Sequence, residues 1–232
     1  SIDIAVHSMK DVETVLPDGL GITTLLPRED PRDAFISNKA ENLMELPAGS
    51  VVGTASMRRQ AQLRMLRPDL AVQPMRGSVN TRLRKLNDGE ADATFLAYAG
   101  LLRLDMADAA TCLMTPEEML PAVAQGVIGG EGREDDTETR DLLASIHDRE
   151  TAYRVDAERA LLAALDGSCR TPIGGPAELT GDGRLRLRGM VASPDGRTSH
   201  AVSREGTVSE AAALGRDAGE ELRALAGPNI FD

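Results

Sequence analysis

Residues 50–100 alternate short apolar runs with helix-like segments, and this pattern restricts the fold more than any other feature of the chain. It predicts strands at 50–53, 70–73 and 93–97, and helices at 57–66 and 81–87. Repeated strand–helix units imply a parallel sheet with right-handed crossovers. We therefore predict an α/β domain in this part of the chain.

The last third of the chain follows a different pattern. A long helix is predicted over 150–165, two alternating strands over 184–192 and 198–204, and a final helix over 209–225. The segment between the two strands contains Pro-Asp-Gly, which is typical of a turn. This order of elements predicts a separate α+β domain.

Other segments indicate how these parts are connected. The apolar run 2–7 predicts a strand that is buried on both faces in a parallel sheet. Residues 27–33 combine two prolines with dense charge, and we expect a solvent-exposed connector there. A second connector is expected at 120–123, and a helix at 137–146. Because the sequence begins inside an apolar run, we also expect that an N-terminal segment is missing.

Positive charge is concentrated in residues 51–85 of an otherwise acidic protein. Seven arginines and one lysine accompany a single acid there, so the segment carries +7 in a chain of net charge −11. Guanidinium groups pair with planar carboxylates better than ammonium groups do. We therefore predict a small ligand that bears several negative charges.

Composition excludes several classes of function. The net charge of −11 and the pI of about 4.8 argue against nucleic-acid binding. No apolar run approaches the roughly 18 residues of a membrane helix, so we expect a cytoplasmic protein without a membrane partner. Two cysteines are too few for a disulfide scaffold, and the histidines lack the spacing of metal ligands.

Candidate ligand-binding residues lie at two strand-to-helix turns. They are Thr54, Ser56, Arg58 and Arg59 at the first turn, and Arg76 and Arg82 at the second. A side-chain oxygen can cap each helix while the guanidinium groups face an anion. The alternative is an ordinary helix cap beside a solvated basic surface.

Asp11 and Cys169 are the candidate reactive groups. Asp11 follows the first predicted strand, where a carboxylate could transfer a proton or stabilise a cation. A helix cap or a surface acid is the alternative. Cys169 lies in a loop with glycines and a proline, where a thiol could be exposed and reactive. A small buried side chain is the alternative there.

Six motifs, taken together in this order, resemble those of the porphobilinogen deaminase (hydroxymethylbilane synthase) family. They are DIAVHSMKD at 3–11, REDPRDAF at 28–35, VGTASMRRQ at 52–60, RGSVNTRL at 76–83, LPAVAQG at 120–126, and the Cys169 loop that ends in PIG at 172–174. The resemblance extends over essentially the whole chain.

The resemblance implies a transferase of tetrapyrrole, porphyrin and heme biosynthesis. A dipyrromethane cofactor would be attached to Cys169 through a thioether, and four porphobilinogen molecules would be added to it with loss of ammonia, giving linear hydroxymethylbilane. Asp11 would be the catalytic residue, a buried carboxylate that stabilises the electron-poor pyrrole left when ammonia departs. The implied cofactor-binding residues are Ser8, Lys10, Thr54, Ser56, Arg58, Arg59, Arg76, Arg82, Arg103 and Gln125.

The resemblance also implies a fold and a domain division. Two α/β domains would resemble type II periplasmic binding proteins, and a smaller C-terminal α+β domain would carry the cysteine loop. The expected domains are 1–27 with 122–146, then 32–120, then 147–232. The family is usually monomeric, and its N-terminal segment adds first-domain strands and basic residues. We expect a chain without that segment to be inactive or poor in cofactor.

Two other interpretations are compatible with parts of the sequence. A non-catalytic anion-binding protein of the periplasmic type would explain the arginines at the strand-to-helix turns, but not Cys169 in its loop. The ligand-binding half of a transcription regulator is the third interpretation. No helix-turn-helix segment is evident, and the acidity of the chain disfavours DNA contact.

Overall fold

A computed structural model describes residues 2–167, 171–228 and 230–231. These residues form six α-helices and twelve strands, and the strands are arranged in three sheets. The strands are β1 (Ile4–Ser8), β2 (Leu20–Leu25), β3 (Asp33–Ser37), β4 (Val51–Gly53), β5 (Ala71–Gln73), β6 (Ala93–Ala97), β7 (Cys112–Leu113), β8 (Ile128–Arg133), β9 (Ile173–Gly174), β10 (Ala177–Leu179), β11 (Leu185–Ala192) and β12 (Ser199–Gly206). The helices are α1 (Met57–Leu66), α2 (Val79–Asn87), α3 (Tyr98–Leu102), α4 (Thr137–Ala144), α5 (Arg149–Ala164) and α6 (Ala211–Ala226).

The five-stranded sheet confirms the predicted strand–helix alternation. Its order is β5-β4-β6-β3-β7, with β4 parallel to both β5 and β6, and with β3 antiparallel to β6 and β7. Helix α1 has the predicted bounds. Helix α2 begins two residues earlier than predicted, because Ser78 Oγ accepts a hydrogen bond from the Thr81 amide and caps it. Phe35 and Phe95 pack in this core with ring centroids 5.8 Å apart.

The first strand differs from its prediction. β1 lies at one side of a three-stranded sheet of order β1-β8-β2, and both pairs are antiparallel. Ile4 is 39% exposed and Val6 is 71% exposed, so the expectation of a strand buried on both faces in a parallel sheet was wrong. The apolar side chains of β1 are not covered by the described elements. Burial begins only at Met9, directly after the strand.

The C-terminal part confirms the predicted α+β arrangement. β11 pairs antiparallel with β9, β10 and β12, and helices α5 and α6 pack against this sheet. The two helices approach closely because α6 carries glycines at the contact: a Cβ at Gly215 would lie 2.1 Å from the Ala157 carbonyl oxygen. Helix α5 is capped by Asp148, which accepts a hydrogen bond from the Thr151 amide.

Each expected domain range contains one of the three sheets, and the domain boundaries themselves stay a prediction. One apolar core joins the first and third ranges. Met9, Leu25 and Val127 belong to the same buried cluster as residues of α5, α6 and the C-terminal sheet. The five-stranded sheet has its own clusters on its two faces.

The sequence predicts a solvent-exposed connector at 27–33, but the structure shows residues 28–32 half-buried and residue 33 buried. The Arg28 side chain is 2% exposed and forms an ion pair with fully buried Glu158, with Nη1 2.5 Å from Oε1. Glu158 also accepts hydrogen bonds from the amides of Ala124 at 2.5 Å and Ala177 at 2.6 Å. In the structure the second connector extends over 120–127, the segment without helix or strand that precedes β8. One carboxylate on α5 therefore holds both connectors and the start of β10. Charge-rich segments can be buried when each charge finds a partner.

Glu158→Ala is expected to lower the free energy of unfolding by about 3–5 kcal/mol, because Arg28 would stay buried without its partner. Urea denaturation followed by circular dichroism measures the loss. Glu150→Ala on the same helix is the control, since the exposed pair of Glu150 with Arg154 is worth only about 0–1 kcal/mol. Equal losses in the two variants would contradict this account of the buried pair.

Candidate functional site

A cavity of about 350 Å³ brings together residues from all three parts of the chain. Seven of the predicted site residues line it: Lys10, Asp11, Ser56, Arg58, Arg59, Arg82 and Gln125. The other lining residues are Ala55, Ala122, Val123, Leu162, Thr171 and Ile173. Its wall therefore combines cationic side chains with apolar ones. This combination suits an organic molecule with several carboxylates.

The arginine wall is built on one buried carboxylate. Asp33 is fully buried at the start of β3, with Oδ2 2.8 Å from Arg58 Nη1 and Oδ1 2.6 Å from Arg59 Nη2. Burial alone would raise the pKa of Asp33, but the charges of Arg58 and Arg59 and their hydrogen bonds outweigh it and hold this pKa far below its usual range. Asp33 is therefore ionised and fixes both guanidinium groups.

Two backbone carbonyls and the side-chain amide of Gln125 also hold Asp33 and the two arginines in place. Arg59 Nη1 donates to the Phe95 carbonyl at 2.8 Å, and Arg58 Nη1 donates to the Leu120 carbonyl at 2.7 Å. Gln125 Nε2 donates to Asp33 Oδ1 at 2.9 Å and to the Pro31 carbonyl at 2.7 Å. Gln125 thus supports the arginines through Asp33 as well as lining the cavity.

Arg58 has a donor that the described residues do not satisfy. Its Nε is buried and has no hydrogen-bond partner among them. Buried polar groups are nearly always paired, so an unmet donor in a residue that lines a cavity indicates a missing acceptor. A ligand carboxylate is an acceptor of the right charge.

Helix α1 places its two arginines at its first turn. Ser56 caps the helix, and its Oγ accepts from the Arg59 amide at 3.4 Å. Thr54 Oγ1 accepts from the Ser56 amide at 3.2 Å and shapes the turn from a buried position. The first turn of a helix carries a partial positive charge, which adds to that of the guanidinium groups.

Lys10 and Asp11 reach the cavity from a short 3-10 turn, Met9–Asp11, after β1. Asp11 is exposed at the edge of the cavity, so the expectation of a buried carboxylate was wrong. The turn buries the side chain of Met9, two residues before Asp11, and leaves that of Asp11 at the surface. Burial, and then the nearby charge of Arg59, lowers the pKa of Lys10 to about 8.

Arg82 approaches from the second strand-to-helix turn. Its Nε donates to the Gly77 carbonyl at 2.9 Å. Burial, and then repulsion by Arg59, lowers the pKa of Arg82 from its usual value. Arg82 and Lys10 therefore stand in the field of the α1 arginines, and a bound anion would relieve the repulsion among these cations.

Four predicted site residues do not line this cavity. Ser8 is exposed at the end of β1, Arg76 is exposed, and Thr54 lies beneath the α1 turn. Arg103 is exposed and donates to the Gly126 carbonyl at 2.9 Å, which holds the second connector. Cys169 lies outside the described residues. The ligand-binding roles of all five stay predictions.

Asp33, Arg28 and Glu158 were missed as organising residues. Asp33 directly precedes the apolar run Ala34-Phe35-Ile36, and an acid that begins a fully apolar strand needs a buried cationic partner. That signal was available in the sequence. The partners themselves could not be named, because Arg59 follows Asp33 by 26 residues and Glu158 follows Arg28 by 130.

Comparisons with known proteins identify the family. The model described as "Porphobilinogen deaminase, dipyromethane cofactor binding domain" matches residues 1–141, and "Porphobilinogen deaminase, C-terminal domain" matches residues 152–224. The chain belongs to the porphobilinogen deaminase family. The porphobilinogen deaminase of Paracoccus denitrificans (strain Pd 1222) is 58% identical over 231 residues, covering 100% of this chain and 74% of that protein. The porphobilinogen deaminase of Nitrobacter hamburgensis is 56% identical over 231 residues and is covered to 73%.

Two solved structures resemble a smaller part of this chain than the curated relatives do. The methionine binding protein MetQ is 17% identical, with a TM-score of 0.38 over 58% of this chain and 63% of that chain. A lipoprotein of the YaeC family from Enterococcus faecalis V583 is 15% identical, with a TM-score of 0.39 over 58% of this chain and 64% of that chain. These scores are too low to assign a ligand.

The described residues contain neither a membrane-spanning helix nor a metal-binding cluster. No helix among them combines the length and apolar character needed to cross a membrane. No group of three or more His, Cys, Asp or Glu side chains in the same ranges could hold a metal ion. The charged groups that the structure does offer at the cavity are those of Lys10, Asp11 and the arginines.

The affinity of the cavity for a polycarboxylate is expected to fall as pH rises through about 8. Below this pH Lys10 is charged and attracts the anion, and above it the free protein must take up a proton on binding. Calorimetry with benzene-1,3,5-tricarboxylate on the Cys169→Ser protein, which keeps the cavity free of a tethered group, measures the effect. We expect a 5- to 10-fold rise in Kd, or about 1–1.4 kcal/mol, between pH 7 and 9.

Lys10→Met is the control for that titration. It should bind more weakly at pH 7 and show a nearly flat Kd between pH 7 and 9, because the other cationic groups at the cavity are arginines. The same pH dependence in Lys10→Met and in the parent would contradict the assignment.

Proposed function

We propose that the cavity holds a dipyrromethane cofactor and that the protein extends it with four porphobilinogen molecules, each joined with loss of ammonia. Water then cleaves the bond between the cofactor and the four added units, which releases them as hydroxymethylbilane and leaves the cofactor on the protein. Membership in the porphobilinogen deaminase family supports this function, and the family model names the cofactor-binding domain. The observation that carries the proposal is the arginine wall on Asp33, which faces the same cavity as Asp11.

The residues present fit such a cofactor. Each of its two pyrroles would carry two carboxylates, and the cavity offers Lys10, Arg58, Arg59 and Arg82. Asp33 cancels part of the charge of two of these arginines, yet the unmet Arg58 Nε leaves a donor for a further acceptor. When bound, the cofactor would supply the nucleophilic pyrrole carbon that accepts the first unit, and each added unit would supply the carbon that accepts the next.

Asp11 is the proposed catalytic residue. The C–N bond of the porphobilinogen aminomethyl group breaks, and its electron pair leaves with ammonia. The pyrrole left behind is electron-poor, and a carboxylate held at the cavity edge stabilises this positive charge. The free pyrrole carbon of the bound acceptor would form the new C–C bond with this methylene carbon, and the acceptor carbon would then lose its proton. No hydrogen bond among the described residues includes the Asp11 carboxylate, so its oxygens can accept one from a pyrrole N–H of the substrate.

We place the tether at Cys169. Thr171, two residues further along the chain, lines the cavity. Consecutive Cα atoms are about 3.8 Å apart, so two peptide units span at most about 7.6 Å. The tether would therefore join the chain two residues before a residue of the cavity. A covalent tether also keeps the acceptor in place through four additions.

Intact mass spectrometry tests the proposal and separates it from a non-catalytic anion-binding protein. The protein, together with any residues that precede Ser1 in its source, should carry an adduct of two linked pyrrole units. Cys169→Ser should lose the adduct, whereas the matched control Cys112→Ser should keep it, because Cys112 packs against the core of the five-stranded sheet. An unmodified protein without turnover would favour the binding protein.

Turnover supplies the second arm of this test. Asp11→Asn should keep the adduct and lose tetrapyrrole formation by about 100-fold or more, the usual contribution of a positioned catalytic carboxylate. Full turnover by Asp11→Asn would overturn the role given to this residue. A loss of the adduct in Cys112→Ser would overturn the tether assignment.

The proposal includes the setting of the enzyme. We propose a monomer in the cytoplasm that acts on a small-molecule substrate and has neither a nucleic-acid nor a membrane partner. The net charge of −11 supports the lack of nucleic-acid affinity. Sedimentation and cell fractionation test the other two statements.

A further inference from the structure

We propose that Arg159 on α5 is a positioning residue for Asp11, which it orients through the backbone of residues 12–14, here called the strap. The inference rests on the catalytic role proposed for Asp11. It assigns to the third part of the chain a task in the chemistry that is additional to carrying the cysteine loop.

The Arg159 guanidinium gathers three consecutive carbonyls. Nη1 donates to Val12 O at 3.1 Å, and Nη2 donates to Glu13 O at 2.6 Å and to Thr14 O at 3.4 Å. A planar fork can serve several acceptors at fixed angles, whereas a lysine ammonium is a point charge on a flexible stem. One side chain therefore holds three carbonyls of the strap, which has no regular secondary structure and is otherwise anchored by the packing of Val12 against the apolar core.

The other side of Asp11 is fixed independently. Met9 donates its amide to the Val127 carbonyl at 3.0 Å, and its side chain is 1% exposed. It packs on Gly129, where a Cβ would lie 2.3 Å from Met9 Sδ. The Val12 amide closes the turn by donating to the Met9 carbonyl at 3.3 Å. Asp11 thus stands between a buried anchor and the strap.

The charges of Lys10 and Arg82 act on the Asp11 carboxylate, but no side chain of the described residues holds it at a fixed contact. The hydrogen bonds and ion pairs of the described residues do not include its carboxylate, and it is exposed. Its position in the cavity therefore follows from its backbone. A change in the strap would move the backbone that carries the carboxylate.

Helix α5 connects this support to the cofactor tether. Ala164, at the end of the helix, is the fifth residue after Arg159, a rise of about 7.5 Å along the helix axis. The loop that contains Cys169 follows directly. The strap contact is therefore made by the same helix that leads into this loop.

Arg159→Met, Arg159→Lys and the matched control Arg149→Met test the inference. Arg149 is an exposed arginine on the same helix. The assays use the adduct-carrying protein with any residues that precede Ser1. We expect Arg159→Met to keep the adduct by intact mass, to lose kcat by about tenfold, a barrier change of about 1.4 kcal/mol, and to keep KM for porphobilinogen within about twofold. Arg159→Lys should lie between Arg159→Met and the parent.

Hydrogen exchange gives a readout that is independent of turnover. Amides of residues 10–15 should exchange faster in Arg159→Met, and as in the parent in Arg149→Met. If Arg159→Met does not fold, Arg159→Lys carries the test with the same signs. An unchanged kcat per adduct-carrying molecule would overturn the inference, as would an equal kcat loss in Arg149→Met. So would faster exchange with unchanged kcat, which would show a merely structural contact.

Failure of the proposed function looks different from failure of this inference. If the parent carries no adduct, or if Asp11→Asn retains full turnover, the proposed function fails and the inference fails with it. If the parent is modified and active, Asp11→Asn is inactive and Arg159→Met matches the parent, only the inference fails.

Discussion

Two adjacent arginines on one helix repel each other, and the buried carboxylate of Asp33 allows both to lie beside the same cavity. Burying a single guanidinium without a partner would cost several kcal/mol. Asp33 forms ion pairs with both, Gln125 donates a hydrogen bond to Asp33, and two backbone carbonyls accept hydrogen bonds from the two arginines. The cationic wall is consequently rigid before any ligand arrives. Preorganised charge of this kind is what gives anion binding and electrostatic catalysis their strength.

The second buried ion pair extends this logic from the cavity to the whole molecule. Asp33 begins β3, directly after the connector that contains Arg28, and Gln125 lies in the other connector. Glu158 on α5 holds both connectors. The two carboxylates therefore fix the three sheets around the place where their connecting segments meet. The cavity lies where the connectors are held together. Much of its positive charge comes from Arg58 and Arg59 of α1, the helix that Asp33 faces.

Sequence patterns predicted much of the fold because the signals are local. The alternation of apolar runs and helical segments located β4, α1, β5 and β6, and the Ser56 cap explains why α1 starts where predicted. Local signals failed where distant partners decide. The charge of Arg28 indicated solvent but is buried against Glu158, and the apolar run at β1 indicated a buried strand but is partly exposed. Residue type and turn position selected Arg58 and Arg59 correctly as cavity residues, while their dependence on Asp33 required the tertiary structure.

We expect the fixed position of the Arg58 and Arg59 guanidinium groups to matter more for carboxylate binding than the net charge of the wall. Calorimetry of benzene-1,3,5-tricarboxylate binding to Cys169→Ser protein with and without Asp33→Asn tests it directly, on protein whose circular dichroism matches the parent. Removing a negative charge would strengthen anion binding if charge alone mattered. We expect instead that Kd rises at least about tenfold, since Arg58 and Arg59 lose the carboxylate that aims them. An unchanged or lower Kd in Asp33→Asn would contradict the account.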